Sequence, residues 1–317
     1  MKPFAPGRSG AGTVGSIGEE ALIRAIRRWL GSASPPPPAG IGDDCAVLPP
    51  SPVRLMTVDP LVYGRHFDAA VSPAAAGAKL LKRNLSDIAA MGGRPGAAVV
   101  GLVLSPNTSL RWLERFHRGL AAAARKHSVA IVGGDIAQAP DCSAAGTGYF
   151  SAHLTLLGSL PGGRALTRRG ARIGDRIYVT GVLGGSLASG HHFRFEPRLR
   201  EGAWLAKRRD VRAMMDVSDG LGKDLRALTP RGAAPAIWAE QLPRRKGATV
   251  PQALSDGEDY ELVFALAAEA DAPGFERAFH RAFPRIRLTE IGRFSPARRV
   301  PAGALPPSSL RGYEHLR

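Results

Sequence analysis

Cysteine is nearly absent from this chain: Cys45 and Cys142 are the two in 317 residues. They form neither a CxxC pair nor a zinc spacing, which excludes a disulfide scaffold and predicts reduced thiols in a cytoplasmic protein. Aromatic residues are scarce at 6%. Long apolar runs are missing too. The richest, "DIAAMGGRPGAAVVGLVLS", is interrupted by Arg94 and Pro95, so no membrane span is expected. The start, "MKPFAPGRSG", lacks the apolar run of a signal peptide. Neither G-x-x-x-x-G-K-[ST] nor the kinase H-R-D and D-F-G motifs occur. Any nucleotide therefore has to be held through metal ions and glycine turns.

Acids are the minority charge, 27 Asp and Glu against 43 Lys and Arg, for a net charge of +16. The cations are spread through segments such as "RAIRRWL", "RRGARIGDR" and "KRRDVR". A nucleic-acid footprint would concentrate them and interleave aromatics, so nucleic acid is not an expected partner. A diffuse positive surface suits anionic small substrates.

The length predicts about two domains. "GAGTVGS" fits G-x-G-x-x-G but follows no strand, and reads as an arm. Ser16 and Glu19 fit a capping box ahead of an apolar stripe of Ile17, Leu22, Ile23 and Ile26, with Gly31 closing the helix. "SASPPPPAG" reads as a stiff connector. Next come a strand "VRLMTVD" ending at Asp59, a helix "PAAAGAKLLKRNLSDIAAMGG" and a buried strand "GAAVVGLVLS". An amphipathic helix "SLRWLERFHRGLAAAARKHS", a strand "VAIVGGD" running into a glycine turn, and a strand "YFSAHLTLLGSL" complete this half. Glycine and arginine then dominate "GSLPGGRALTRRGARIGD", which predicts domains over 1–157 and 158–317. The second half offers strands in "RIYVTG", "VRAMMDVSDG", "PAIWAE", "YELVFALA" and "IRLTEIGRF", and helices in "LGGSLASG" and "APGFERAFHRAF". Alternating strands and helices predict a mixed α/β or α+β fold.

Against so basic a background, "GIGDDCAV" sets Asp43 beside Asp44. Two carboxylates ~4 Å apart repel by about 4 kcal/mol at an effective dielectric near 20. Further acids recur at strand ends or beside glycine: Asp59, Asp135, Asp216 and Asp219, with Asp87 on a helix among apolar neighbours. Each alone reads as a cap or turn residue. Asp219 before "GLGKDL" could simply cap a helix. "DVSDG" is no calcium loop, because its twelfth position is Ala227 rather than Glu. As a set the acids suit magnesium, which takes one or two carboxylates plus substrate phosphates. The neighbouring glycines would admit phosphate to backbone N–H groups.

In chain order, "GIGDDCAVL", "NLSDIAAMGGRP", "IVGGD", "GRALTRRGARIGDRIYVTG", "DVSDGLGKDL" and "LSDGEDYELVF" resemble the thiamine-monophosphate kinase family, of the aminoimidazole-ribonucleotide synthetase superfamily. The resemblance implies an N-terminal α/β domain that dimerises by pairing sheets into a barrel, and a C-terminal α/β domain packed against it. It implies transfer of the γ-phosphoryl group of ATP to thiamine monophosphate, assisted by several Mg2+ ions, at a site across the dimer interface and domain cleft. The implied metal acids are Asp44, Asp59, Asp87, Asp135, Asp216 and Asp219. The implied ATP contacts are Gly134, Asp135, Arg168 and Ser218, and the implied thiamine-phosphate contacts are His66 and Glu258. The acceptor is an ionised phosphate oxygen, so no general base and no phospho-enzyme are expected.

Four positions depart from the family pattern. Val58 removes a hydroxyl ligand and leaves Thr57 as the nearby one; Ile136 follows Asp135; Asp256 is an added acid; Leu310 stands where an aromatic often covers the thiamine. Tyr260 and Tyr313 read as packing residues. Two other readings stay open: another ATP-dependent enzyme of the superfamily with a different acceptor, and a catalytically silent nucleotide-binding homologue.

Overall fold

The computed structural model describes residues 21, 24, 46–47, 55–105, 108–139 and 149–314. Asp43, Asp44, both cysteines, the capping box at Ser16 and Glu19, and the proline connector lie outside the described residues.

The first half builds a five-stranded sheet from β1 (Ala46–Val47), β2 (Leu55–Val62), β3 (Arg94–Leu104), β4 (Ala130–Gln138) and β5 (Phe150–Ser159). Their spatial order is β1-β2-β5-β3-β4, antiparallel except for the parallel pair β3–β4. Helices α1 (Pro73–Ala90) and α2 (Leu110–Lys126) cover one face and share with it a core that includes Leu61, Leu80, Leu85, Phe116, Leu154 and Leu156. α1 begins where Ser72 accepts the Ala75 N–H at 3.2 Å and Pro73 presets the first turn. α2 starts on Ser109 in the same way.

Among the described residues no helix covers the other face of that sheet. β3 is therefore not the buried strand its composition suggests: Ala98, Val100 and Leu102 are buried, but Val99 between them is 41% exposed. Alternation with period two places successive side chains on opposite faces, and helices cover only one of them. β2 also runs past Asp59 to Val62. "VAIVGGD" does not break into a turn, since Gly133, Gly134 and Asp135 all lie within β4. A Cβ on Gly134 would stand 2.0 Å from the Val100 carbonyl oxygen, so this glycine serves close strand approach.

The second half forms a wholly antiparallel sheet of β6 (Arg176–Thr180), β7 (Val211–Asp216), β8 (Ala233–Ile237), β9 (Leu262–Leu266) and β10 (Leu288–Pro296), in the order β7-β9-β6-β10-β8. "LGGSLASG" is a series of turns rather than a helix, because Gly184, Gly185 and Gly190 all have left-handed φ values. The short helix α3 (His191–Arg194) follows it, then α4 (Leu199–Ala206), α5 (Leu221–Leu228), α6 (Val250–Ser255) and α7 (Ala272–Ala282). No described helix is long and apolar enough to cross a membrane.

One helix serves both halves. The C-terminal end of α1, at Ala89 and Ala90, joins a core with Leu205, Met214, Leu262 and Phe264 of the second half. Nearly the whole of α1 is buried, including Lys79, Lys82, Arg83 and Asn84. Buried charges on such a helix require partners, and these partners come from the second half and from β2.

Candidate active site

Residues 79, 83 and 87 recur at i, i+4 and i+8 along α1, so Lys79, Arg83 and Asp87 share one helix face. β2 crosses beside it. Thr57 and Asp59 are two residues apart and leave the strand on the same side. The Thr57 hydroxyl donates to Asp87 Oδ2 at 2.5 Å, and Arg83 Nη2 lies 3.4 Å from Asp59 Oδ1. Arg83 is anchored further by Nη1 donating to the Pro60 carbonyl at 2.8 Å. Burial opposes the charge of Arg83, but Tyr260, Asp59, Glu258 and Asp87 outweigh it and hold the guanidinium above its ordinary pKa.

The second half supplies two turns. β7 delivers Asp216, 2% exposed, whose Oδ2 accepts from Ser86 of α1 at 2.6 Å. Beyond it, the Ser218 and Asp219 N–H groups donate to Asp224 Oδ2 at 3.0 and 3.1 Å. Asp224 thus fixes the turn that carries two of the expected ligands. Burial, then the nearby Asp219 and Asp216, push its carboxyl well above the carboxylate range. No site motif of the sequence marks this role; an acid inside "GLGKDL" reads equally as a surface helix residue. Asp219 itself pairs with Lys223 at 2.8 Å and caps no helix, since the cap of α5 is Gly220.

The other turn, 256–260, is stitched to the first. Glu258 N–H donates to the Ser218 carbonyl at 2.7 Å and Tyr260 N–H to that of Val217 at 2.8 Å. Glu258 and Tyr260 adopt φ of 53° and 51°, rare for residues with a side chain. Glu258 Oε1 receives the ammonium of Lys79 at 2.8 Å. Tyr260 is buried and stacks on Phe195 at 3.9 Å. The added acid Asp256 accepts the Gly185 N–H at 2.8 Å.

These segments enclose a cavity of about 330 Å³. Of the expected residues, Thr57, Asp59, His66, Asp87, Arg168, Asp216, Ser218, Asp219 and Glu258 all line it. His66 Nδ1 accepts the Val62 N–H at 2.9 Å, which places the ring proton on Nε2. Arg65, Arg83, Tyr260 and Tyr313, none of them singled out as ligands by motif, line it too, and the Arg65 guanidinium lies 5.0 Å from the Tyr313 ring centre. Val58 reaches the cavity wall, whereas Leu310 is buried in the core of the second half. Gly134 and Asp135 are not among the lining residues. They sit on the exposed edge strand β4, where Asp135 Oδ1 accepts the N–H of Ile136.

The donor set is all oxygen, the preference of magnesium. Among the described residues no three His, Cys, Asp or Glu side chains close tightly enough to hold a metal ion alone. Such a cleft fits an ion that completes its shell with substrate phosphates, the usual habit of magnesium.

The family model for AIR synthase related protein, N-terminal domain, matches residues 42–158. The thiamine-monophosphate kinase of Salmonella typhimurium is 34% identical over 283 residues, covering 79% of this chain and 83% of its own. That of Rhodopirellula baltica is 36% identical over 273 residues, covering 80% and 82%. Among solved structures, AaThiL complexed with AMPPCP and TMP superposes with a TM-score of 0.74 at 29% identity, covering 91% of this chain and 94% of that one. With a third of its residues shared over most of both chains, this chain belongs to the thiamine-monophosphate kinase family.

Proposed function

We propose that this chain transfers the γ-phosphoryl group of ATP directly to the phosphate of thiamine monophosphate, giving thiamine diphosphate and ADP. The observation that carries the reading is the meeting of Asp59, Asp87, Asp216 and Asp219, from three separate segments, with Arg168 and Glu258 around one cavity. The AaThiL structure of the same fold was solved with AMPPCP and TMP.

Phosphoryl transfer between two anions needs charge neutralisation and in-line placement more than covalent help. Magnesium would be held by Asp59, Asp87, Asp216 and Asp219, with Asp44 and Asp135 completing the set the family resemblance implies. Bound there, it would supply neutralisation of the phosphate charge. Thr57 orients the Asp87 carboxylate and Ser86 that of Asp216 through their hydroxyls. The planar fork of Arg168 is suited to grip a phosphate bidentately. His66 lines the cavity beside the acids, and Glu258 faces the thiamine moiety. The attacking phosphate oxygen is already ionised, so no side chain has to remove a proton.

Gly134 and Asp135 enter the same proposal through dimerisation. Beyond them the open sheet face exposes Met56 (42%), Val58 (60%) and Val99 (41%), a surface suited to a second copy of the chain. Pairing there would bring β4 to a shared nucleotide site. The domain division at 157/158 belongs to this reading as well.

Purified chain given ATP, magnesium and thiamine monophosphate is expected to form thiamine diphosphate and ADP in equal amounts. Asp216→Asn is expected to lower kcat/KM by about 100-fold or more, the scale of losing an electrostatic group from the transition state. Formation of ADP with some other acceptor and not with this one would overturn the reading, as would nucleotide binding without turnover.

A further inference from the structure

Lys79 is completely buried, on the one helix that both halves of the chain share. An ammonium group there has to be fully satisfied. It has three N–H donors, and the structure supplies three acceptors: the His66 carbonyl at 2.7 Å, His192 Nδ1 at 3.0 Å and Glu258 Oε1 at 2.8 Å. The partners come from the loop after β2, from α3 and from the turn before β9. No donor is left over, so the direction of each bond is determined by the other two.

The carboxylate it holds sits on an unusual backbone. Glu258 and Tyr260 both lie in the left-handed region, and such strained conformations persist where surrounding contacts over-determine them. Two backbone bonds tie the turn to residues 217 and 218, and these fix the main chain. They do not fix the side chain. Its orientation comes from Lys79 and from the Tyr260 hydroxyl, 3.2 Å from the same Oε1. The nearest partner of Oε2 is His192 Nδ1 at 3.6 Å, beyond hydrogen-bonding length. One oxygen is thereby committed and the other kept for the cavity.

We propose that Lys79 is a positioning residue for the acceptor: it acts through Glu258, reaching from the first half of the chain to aim a carboxylate of the second half at the thiamine moiety. This rests on the reading of Glu258 as a contact of thiamine monophosphate. Because Lys79 already balances the Glu258 charge, Glu258 acts as a directed hydrogen-bond acceptor, suited to a neutral N–H donor such as the amino group of the aminopyrimidine. The acceptor site is then complete only when the two halves are docked, while the nucleotide-binding acids do not depend on this bond.

The test is steady-state kinetics with each substrate varied in turn, on the full chain and on Lys79→Met, Glu258→Gln and the double variant. Loss of a charge-assisted hydrogen bond corresponds to about tenfold or more in affinity. Lys79→Met is expected to raise KM for thiamine monophosphate by about that factor and to leave KM for ATP within about twofold. The double variant is expected to be no worse than the poorer single, because both substitutions remove one function. If Lys79→Met does not yield folded protein, Lys79→Arg answers in its place. A planar guanidinium cannot reproduce three tetrahedral bonds, so a selective rise in KM for thiamine monophosphate is expected there too. Equal loss towards both substrates, multiplicative effects in the double variant, or an unchanged acceptor KM in Lys79→Arg would overturn the positioning role. Glu258→Gln without effect on the acceptor KM would overturn the underlying contact and this proposal with it. Absence of thiamine diphosphate from the unaltered chain would instead strike the functional reading.

Discussion

Asp259 lies within the 256–260 turn and is 1% exposed, with Gly184 N–H donating to both its oxygens at 3.1 and 3.0 Å and Arg245 at 3.2 Å. Burial pushes its pKa from 3.8 up to about 7, against the pull of the Gly184 N–H and Arg245. The folded chain thus binds this proton more tightly than the unfolded chain does. Its contribution to stability is fully present below the ordinary carboxyl pKa and is lost as pH rises through about 7. Melting temperature is therefore expected to fall between about pH 5 and pH 8, and Asp259→Asn is expected to flatten that slope. Equal slopes in thermal melts of the two proteins would show that other groups set the pH dependence. The same competition between burial and partners governs Lys79, whose pKa burial lowers although Glu258 opposes it.

Among the elements, β4 and α1 carry the most information for their length. β4 pairs parallel to β3 with Gly134 opposite Val100, and the backbones approach too closely there for any side chain. Gly134→Ala is expected to destabilise the chain by about 1–3 kcal/mol, the cost of forcing atoms into a closed space. A shift of the urea midpoint with an unchanged slope would report it. In α1 the apolar residues Leu80, Leu81, Leu85 and Ile88 serve the core while Lys79, Lys82 and Arg83 are also buried. Lys82 donates to the Phe193 and Phe195 carbonyls at 2.8 and 2.6 Å. The helix works as a pin through both halves, with apolar packing at its faces and charged bonds where it meets the active-site turns.

For the molecule as a whole, the open face of the first sheet is the feature that a single chain leaves unexplained. Its exposed apolar residues lie on the side away from α1 and α2, and the edge strand β4 is exposed along its full length. Unprotected edges of this kind invite pairing with another chain. Replacing Met56 and Val99 together by Lys is expected to convert a dimer to a monomer in sedimentation equilibrium. It is also expected to lower nucleotide affinity, because Asp135 of the neighbouring strand β4 lies on the same face as Val99. A dimer that survives both substitutions would place the interface elsewhere.

What the sequence by itself determined is considerable. The strands at β2, β5, β6 to β10 and the helices at α1, α2 and α7 follow from local pattern, since period and capping depend on near neighbours. Nine of the expected site residues share one cavity, and they were legible only as a set of motifs, because any single Asp beside glycine reads as a turn. Asp224, Arg83 and Lys79 carried no such mark. Their roles depend on groups brought together from distant segments, and charge, burial and hydrogen bonding at those places exist only once the chain is packed. The tertiary structure likewise decided that one face of β3 stays open, that "GGD" remains in a strand, and that three left-handed glycines turn "LGGSLASG" away from helix. In each case long-range contact overrode a local preference, because a neighbouring backbone or an uncovered face, invisible from sequence spacing, set the environment.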